Sequence, residues 1–318
     1  MFGILPEVLQ YWYKNILSNY LPDIENGKWH PQKIETVDTT TGAITEKPVY
    51  IFKEENLGEK MSIDDKSIKH EGFTILSNHA THKIAMMIES TKSEEIKQAM
   101  QLFGNELEKV KTISMDMSPT YALVASDLMP QAIQIIDKFH VMKHVYEAVS
   151  AVRINIKKEI SNTLTKEKKI TEEDKKKLSE LEQIRRIRHA ITQSPNKWSK
   201  EMSETINQVF EKYENLKIAY QIGQNFKNWY DYRNCMKSNE EIKKTLSKWY
   251  QQARQIKEFK SVVRMIQKHE DKIINFFRYK TTNAKAENLN GKIQRFVSNN
   301  YGVKNKDFIL YRMAGYFS

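Results

Sequence analysis

Short apolar runs that end in an aspartate are the clearest pattern in the first half of the chain. Residues 110–115 and 132–136 each form such a run, and the residues that follow them are Asp116 and Asp137. Runs of this length are typical of buried strands, and α/β proteins build their sites at the carboxyl ends of strands. We therefore predict that both aspartates lie at the rim of a sheet. A further short strand within residues 60–68 carries Asp64.

The order of elements over residues 60–140 is that of an α/β domain. Three strand-like runs lie between residues 61 and 89, and a polar turn between the second and the third predicts a hairpin. An amphipathic helix over residues 93–103 has acidic residues in its first turn, as the helix dipole favours. The strands that end at Asp116 and Asp137 come next, so the pattern predicts a mixed sheet.

Residues 141–280 have the apolar spacing of helices almost throughout. No glycine-rich or serine-rich linker flanks this region, which predicts a helical insertion packed on the α/β domain. We interpret its recurring aromatic residues as the core of the insertion, with base stacking as the alternative. These residues are Trp198, Tyr213, Tyr220, Phe226, Trp229, Tyr230, Trp249 and Tyr250.

A third acidic segment follows the helical region. Residues 281–293 predict a helix that carries Glu287 about one turn from its start. Together with Asp64 and Asp116, this glutamate provides three carboxylates from separated segments. Carboxylate oxygens suit Mg²⁺ or Mn²⁺, so the pattern predicts a site for hard divalent cations. Two such ions could serve an in-line displacement at phosphorus without a protein nucleophile.

Several phrases of the sequence resemble the DDE domain of bacterial insertion-sequence transposases of the ISL-three type. They are Ser114-Met-Asp-Met-Ser-Pro-Thr-Tyr121, Asp137-Lys-Phe-His-Val141, Thr282-Asn-Ala-Lys-Ala-Glu-Asn-Leu-Asn-Gly-Lys-Ile293 and Asn300-Tyr-Gly-Val-Lys-Asn-Lys-Asp-Phe308. The resemblance covers roughly residues 60–318. It implies a ribonuclease-H-like mixed sheet with a large all-helical insertion before the last catalytic helix.

The resemblance also implies catalytic and metal-binding roles for three carboxylates. Asp64 corresponds to the first-strand aspartate, Asp116 to the aspartate that ends the fourth strand, and Glu287 to the helix glutamate. The motif around Asp64 is Ile-Asp-Asp, where the family more often has Ile-Asp-Glu. The catalytic core is then expected in two parts, residues 60–140 and 281–318, with the basic helical insertion at 141–280 between them.

The first 59 residues form an N-terminal extension without the zinc-binding segment or helix-turn-helix that the resembled family usually carries. We therefore interpret the chain as the catalytic half of a split transposase or as a truncated product. The expected partners are transposon-end and target DNA, a separate helix-turn-helix protein and further copies of the chain on DNA. With one cysteine and no long apolar run, we expect a cytoplasmic protein without a membrane partner.

The net charge of +11 arises in the C-terminal half, since residues 1–140 carry more acidic than basic side chains. A basic surface beside an acidic metal site is typical of an enzyme that cuts nucleic acid. A lysine-rich helical region is, alternatively, an ordinary solvated face. The predicted DNA-binding residues are Arg185, Arg186, Arg188, Asn283, Asn290, Lys292 and Arg295.

Two further residues have an open assignment. Asp137 and His140 either support the metal site from outside its ligand shell or cap the helix that follows. At the level of the whole protein, two hypotheses remain. One is an active transposase that cleaves and transfers DNA strands with divalent metal, and the other is a decayed or accessory protein that binds DNA without cutting it.

Overall fold

A computed structural model describes residues 5–37, 42–164, 171–279, 284–300 and 302–318. For residues 6, 37, 232, 284–288 and 290 only the backbone is described. The chain divides into two compact units. One unit comprises residues 1–137 and 281–318, and the other comprises residues 138–280.

The first unit is built on a sheet that has seven strands in the described residues. Their order across the sheet is β1-β2-β5-β4-β3-β6-β7. The strands are β1 Gln32–Val37, β2 Ile44–Phe52, β3 Lys60–Ile68, β4 Glu71–Asn78, β5 Ile84–Ile88, β6 Thr112–Met115 and β7 Ile133–Ile136.

Antiparallel and parallel pairing meet at β3. On one side β3, β4 and β5 form an antiparallel meander, which includes the predicted hairpin. On the other side β6 and β7 lie parallel to β3, and helices α3 (Ser93–Gln101) and α4 (Pro119–Leu128) provide the crossovers. This mixed sheet confirms the predicted α/β class and is consistent with the ribonuclease-H-like fold that the resemblance implies. The pair β1 and β2 extends the sheet beyond β5.

The last two helices of the chain pack on one face of this sheet. They are α12 (Ala284–Asn299) and α13 (Lys306–Phe317). Buried side chains of α12 and α13 form one core cluster with strand residues such as Ile75 and Met87. Burial of this apolar area stabilises the position of α12, which is the helix that carries Glu287.

Helix α4 packs by way of Tyr121 on the opposite face. The Tyr121 hydroxyl lies 3.4 Å from Oγ1 of Thr74, a residue adjacent to Ile75 in β4 and therefore directed to the other side of the sheet. Lys97 of α3 pairs with Asp127 of α4 at 2.7 Å, which joins the two crossover helices. Both faces of the central strands are thus covered.

The N-terminal segment differs from the sequence pattern, which predicts one helix from Glu7 to Leu21. Helix α1 (Pro6–Trp12) continues as a short π-helix, and the chain then turns at Asn19 before α2 (Tyr20–Glu25). Asn19 has φ +59°, a left-handed conformation that a helix interior excludes and that asparagine tolerates. Pro22 lies in the first turn of α2, where no intrahelical N–H is needed.

The second unit is helical. Its longer helices are α5 (Lys138–Asn162), α6 (Glu172–Arg186), α7 (Lys200–Lys212), α8 (Glu214–Trp229), α9 (Asn239–Ala253), α10 (Lys260–Lys268) and α11 (Glu270–Tyr279).

Aromatic side chains form the interior of the helical unit. Phe226, Trp229 and Trp249 are buried, and the rings of Phe226 and Trp249 lie 4.6 Å apart. The indole N–H of Trp229 donates to the Ile242 carbonyl at 3.1 Å, so its polar atom is satisfied inside the core. Trp198 is only half-buried, as is Cys235. Within the described residues, no helix is both long and apolar enough to cross a membrane.

Candidate active site

Three aspartates lie in one row across the parallel strands. Ser62 of β3 pairs with Ser114 of β6, so the same register carried two residues further aligns Asp64 with Asp116. Met115 of β6 is opposite Ile136 of β7, which aligns Asp116 with Asp137 at the next position. The Asp137 N–H donates to the Met115 carbonyl at 2.7 Å, so the ladder continues to this row.

Asp116 is held by the turn that ends its strand. Its Oδ1 accepts the N–H of Ser118 at 2.7 Å, and the Ser118 hydroxyl in turn accepts the N–H of Thr120. Pro119 then begins α4 at the position where a proline is most readily tolerated. These bonds fix the direction of a half-buried carboxylate at the carboxyl end of β6.

Asp64 lies in the middle of β3 because that strand extends beyond its pairing with β6. The side chain is half-buried, and its Oδ1 accepts the N–H of Asp65 at 2.9 Å. Its Oδ2 lies 3.0 Å from Nζ of Lys66, which balances its charge. The two residues are two positions apart on one strand and therefore share a face of the sheet.

Carboxylates near both strands affect the pKa of the buried Tyr121 hydroxyl. Burial raises the pKa of Tyr121, the hydrogen bond with Thr74 lowers it by a smaller amount, and the charges of Asp65, Asp116 and Asp64 raise it again. An additional negative charge is disfavoured where carboxylates already lie close by.

Helix α12 lies on the face of the sheet that carries Asp64. Asp64 is the cross-strand partner of Ile75, and such partners point to the same face. Ile75 belongs to the core cluster that contains Leu289 and Ile293 of α12. The backbone of Glu287 is helical and precedes Leu289 by two residues, whereas its side chain lies outside the described part of the chain.

The donor atoms at this end of the sheet fit Mg²⁺ or Mn²⁺. Asp64 and Asp116 supply carboxylate oxygens on partly exposed side chains, which is the ligand chemistry that these ions prefer. Among the side chains that the structure describes, no group of three or more histidine, cysteine, aspartate or glutamate residues could hold a metal ion. The third predicted ligand, Glu287, falls outside those side chains.

The remaining predicted residues have varied positions. His140 is half-buried in the first turn of α5, and Asp137 directly precedes that helix. Lys292 and Arg295 are exposed on α12, where Nε–H of Arg295 donates to the Gly291 carbonyl at 3.3 Å. Asn283 lies outside the described residues, and so does the side chain of Asn290.

The three arginines at the end of α6 have neighbouring partners. Arg185 pairs with Glu182 at 3.3 Å, and Arg186 pairs with Glu201 at 3.4 Å. Nε–H of Arg188 donates to Nε2 of His189 at 2.8 Å. Arg185 and Arg186 also lie in the last turn of their helix, where the dipole favours cations. Their positions therefore have a structural explanation, and a role in DNA binding stays a prediction.

The comparison with known families decides the identification. A sequence profile described as a transposase family matches residues 61–313, which is most of the chain and includes the carboxylate row and α12. This chain belongs to the DDE transposase family of the ISL-three type. No curated protein and no solved structure matches the chain.

Sequence reasoning on this transposase missed two neighbours of the predicted ligands. Lys66 follows Asp64 by two residues in a predicted strand, so the period of two would have placed both on one face. Tyr121 gave no such local signal, because its approach to the carboxylates depends on how α4 packs against the sheet.

Proposed function

We propose that this transposase is catalytically active and performs metal-dependent cleavage and strand transfer of DNA. The observation that supports the proposal most directly is the row formed by Asp64 and Asp116 on adjacent parallel strands. Two carboxylates at one end of a sheet are a ligand pair for hard divalent ions. The position of α12 on the same face brings the helix of Glu287 to this part of the unit.

In the proposed site, Asp64, Asp116 and Glu287 hold Mg²⁺ or Mn²⁺, with two ions as the expected number. When bound, the ions supply activation of the attacking water or DNA 3′-hydroxyl and stabilisation of the leaving oxygen. Asp116 contributes a carboxylate whose direction is set by the Ser118 N–H. Lys66 offsets the charge of Asp64 before metal binds and is positioned to exchange that partner for a DNA phosphate.

The proposed chemistry places few demands on other side chains. Because the attacking group comes from water or DNA, no serine, cysteine or tyrosine nucleophile is needed. Asp137 extends the row by one strand and is proposed to support Asp116 from outside the ligand shell. DNA is the proposed substrate, and a helix-turn-helix partner and assembly of several copies on DNA are proposed for recognition of the ends.

An assay of metal dependence tests this function. The full chain is incubated with DNA that carries the flanking end sequences, together with any helix-turn-helix protein encoded nearby. Strand cleavage is expected with Mg²⁺ or Mn²⁺ and is expected to stop when EDTA is added. Absence of metal-dependent cleavage in this complete system would overturn the proposal and favour an accessory protein that binds DNA without cutting it.

A further inference from the structure

A cleft in the helical unit is lined by cations that form no ion pair with a carboxylate of the described residues. It lies between the end of α9 and the outer face of α10, has a volume of about 330 Å³, and is lined by Arg254, Lys260, Val263, Arg264 and Gln267. Val263 is buried, whereas the three cations are exposed. We call Arg254, Lys260 and Arg264 the basic cleft. No ion pair joins any of the three to a carboxylate within the described ranges.

The acidic residues closest in sequence are engaged elsewhere. Glu258 accepts a hydrogen bond from Asn155 at 2.7 Å, and Glu270 accepts one from the Tyr250 hydroxyl at 2.9 Å. Asp271 pairs with Lys243 at 3.2 Å. Within the described residues, none of these three carboxylates forms an ion pair with a cation of the basic cleft.

Interactions within α10 do not favour the positions of these cations. Lys260 and Arg264 are spaced i, i+4 on α10, where like charges are neighbours and repel each other. Lys260 is also the first residue of α10, at the end where the helix dipole favours acidic side chains. Arg185 and Arg186 differ from these cations, because each of the two has a carboxylate partner and lies at the helix end that favours positive charge.

The positive potential continues towards the end of α10. The pKa of His269 is lowered by burial and, beyond that, by the charges of Lys272 and Lys268. An anion bound along this surface relieves the repulsion among these cations. Arginine side chains match phosphate oxygens in a two-pronged geometry, and lysine adds a compact charge.

We propose that the basic cleft binds the phosphodiester backbone of duplex DNA without regard to base sequence. The inference rests on the proposed function only in taking DNA as the substrate of this chain. In this proposal the helical unit binds the DNA backbone, and the carboxylates of the other unit bind the metal ions that catalysis requires. Contacts of this type carry affinity and salt dependence rather than sequence specificity.

Salt-dependent DNA binding tests the proposal. Fluorescence anisotropy is measured for a duplex of arbitrary sequence at several salt concentrations without divalent ions. The triple variant Arg254→Ala, Lys260→Ala, Arg264→Ala should lose about tenfold in affinity at 0.1 M salt for each phosphate contact removed. The slope of log affinity against log salt should become shallower by roughly 0.9 per contact. Circular dichroism checks that the exposed substitutions leave the helices intact.

A matched variant removes the same amount of charge from a different surface. The triple variant Arg185→Ala, Arg186→Ala, Arg188→Ala should flatten the slope less, because the first two arginines already have carboxylate partners. The substitutions Arg254→Lys and Arg264→Lys keep the charge and should retain most of the slope. Equal losses in both alanine triples would indicate a general effect of net charge and overturn the cleft assignment.

The remaining outcomes separate this inference from the proposed function. If the unmodified chain binds DNA and the basic-cleft variant keeps the same slope, the cleft assignment is wrong and the proposed function is untouched. If the unmodified chain binds no DNA at low salt, the cleft assignment is overturned, and the proposed function is decided by the cleavage assay in the complete system.

Discussion

Asp64 of β3 and Asp116, the residue that follows β6, each lie two residues beyond the pair that Ser62 and Ser114 form between these parallel strands. Two carboxylates in one row of a parallel sheet repel each other unless cations lie between or beside them. Lys66 provides one such cation for Asp64. The proposed metal site depends on this relationship and on the packing that surrounds it.

Metal binding should be detectable without catalysis. A ligand that binds only the folded state raises its stability, so the melting temperature of the unmodified chain should increase with Mn²⁺ concentration. The Asp116→Asn variant should lose most of this increase, because an amide cannot balance the charge of the ion. The Asp127→Asn variant removes a carboxylate from α4 that pairs with Lys97 and should keep the Mn²⁺ response. Equal responses of all three proteins would contradict the metal site.

The docking of α12 should control both stability and activity. Ile293 is 1% exposed in the core cluster, so Ile293→Ala leaves a cavity and should reduce the free energy of unfolding by about 2–5 kcal/mol. Strand cleavage should also fall, since the helix that carries Glu287 loses part of its anchor. Arg295→Ala on the exposed side of the same helix should change stability by less than about 0.5 kcal/mol. Denaturant unfolding and the cleavage assay measure the two effects, and full activity of a destabilised Ile293→Ala protein would argue against the positional role of α12.

A polar cluster holds the start of α13 against the sheet. Nζ of Lys306 donates to Glu71 and, at 2.9 Å, to Glu89, which also accepts a hydrogen bond from the Tyr50 hydroxyl. The hydrogen bond from Lys306 lowers the pKa of Glu71 from its usual 4.5. Burial opposes the charge of Lys306, but its hydrogen bonds to Glu71 and Glu89 outweigh burial and raise the pKa of Lys306 above 10.5.

The signs of these two shifts set a pH window for the cluster. A lowered pKa of Glu71 stabilises the fold above pH 4.5, and this contribution is lost as pH falls through the folded-state pKa. A raised pKa of Lys306 stabilises the fold below pH 10.5, and this contribution is lost as pH rises through the folded-state value. The cluster is therefore fully effective between these limits.

Replacement of Lys306 tests this window. Lys306→Met should reduce the free energy of unfolding by about 1–2 kcal/mol at pH 7, because two partly exposed carboxylates lose their hydrogen-bond donor. The difference from the unmodified protein should shrink as pH falls below 4.5. Lys304→Met, at an exposed position nearby, should have little effect at either pH. A pH-independent difference between the Lys306→Met and unmodified proteins would show that packing, and not charge, explains the loss.

The sequence predicted the local elements of the catalytic unit more fully than their pairing. The strands that precede Asp116 and Asp137 were visible as apolar runs. The alignment of Asp64 with Asp116 depends on the register between β3 and β6, which joins residues far apart in the chain. The local sequence pattern does not determine the register between strands that lie so far apart in the chain.

Two other features of the fold could not be predicted from the local sequence pattern. The left-handed turn at Asn19 interrupts an apolar spacing that would otherwise continue as one helix. The pairing of β2 with β5, which extends the sheet, depends on contacts between segments more than thirty residues apart. In the helical unit, by contrast, Thr171 and Asp174 form a capping box, a feature that local sequence can predict because both partners lie within one turn.

The most direct test of the account is strand cleavage by the Asp116→Asn variant. The substitution keeps nearly the same shape and removes one charge from the proposed metal site, so folding and DNA affinity should be retained. Mg²⁺-dependent cleavage of end-sequence DNA, assayed with any helix-turn-helix partner present, should fall by orders of magnitude. The Asp127→Asn variant serves as the control and should cleave like the unmodified chain. Cleavage by the Asp116→Asn protein at the unmodified rate would contradict the assignment of Asp116 as a metal ligand.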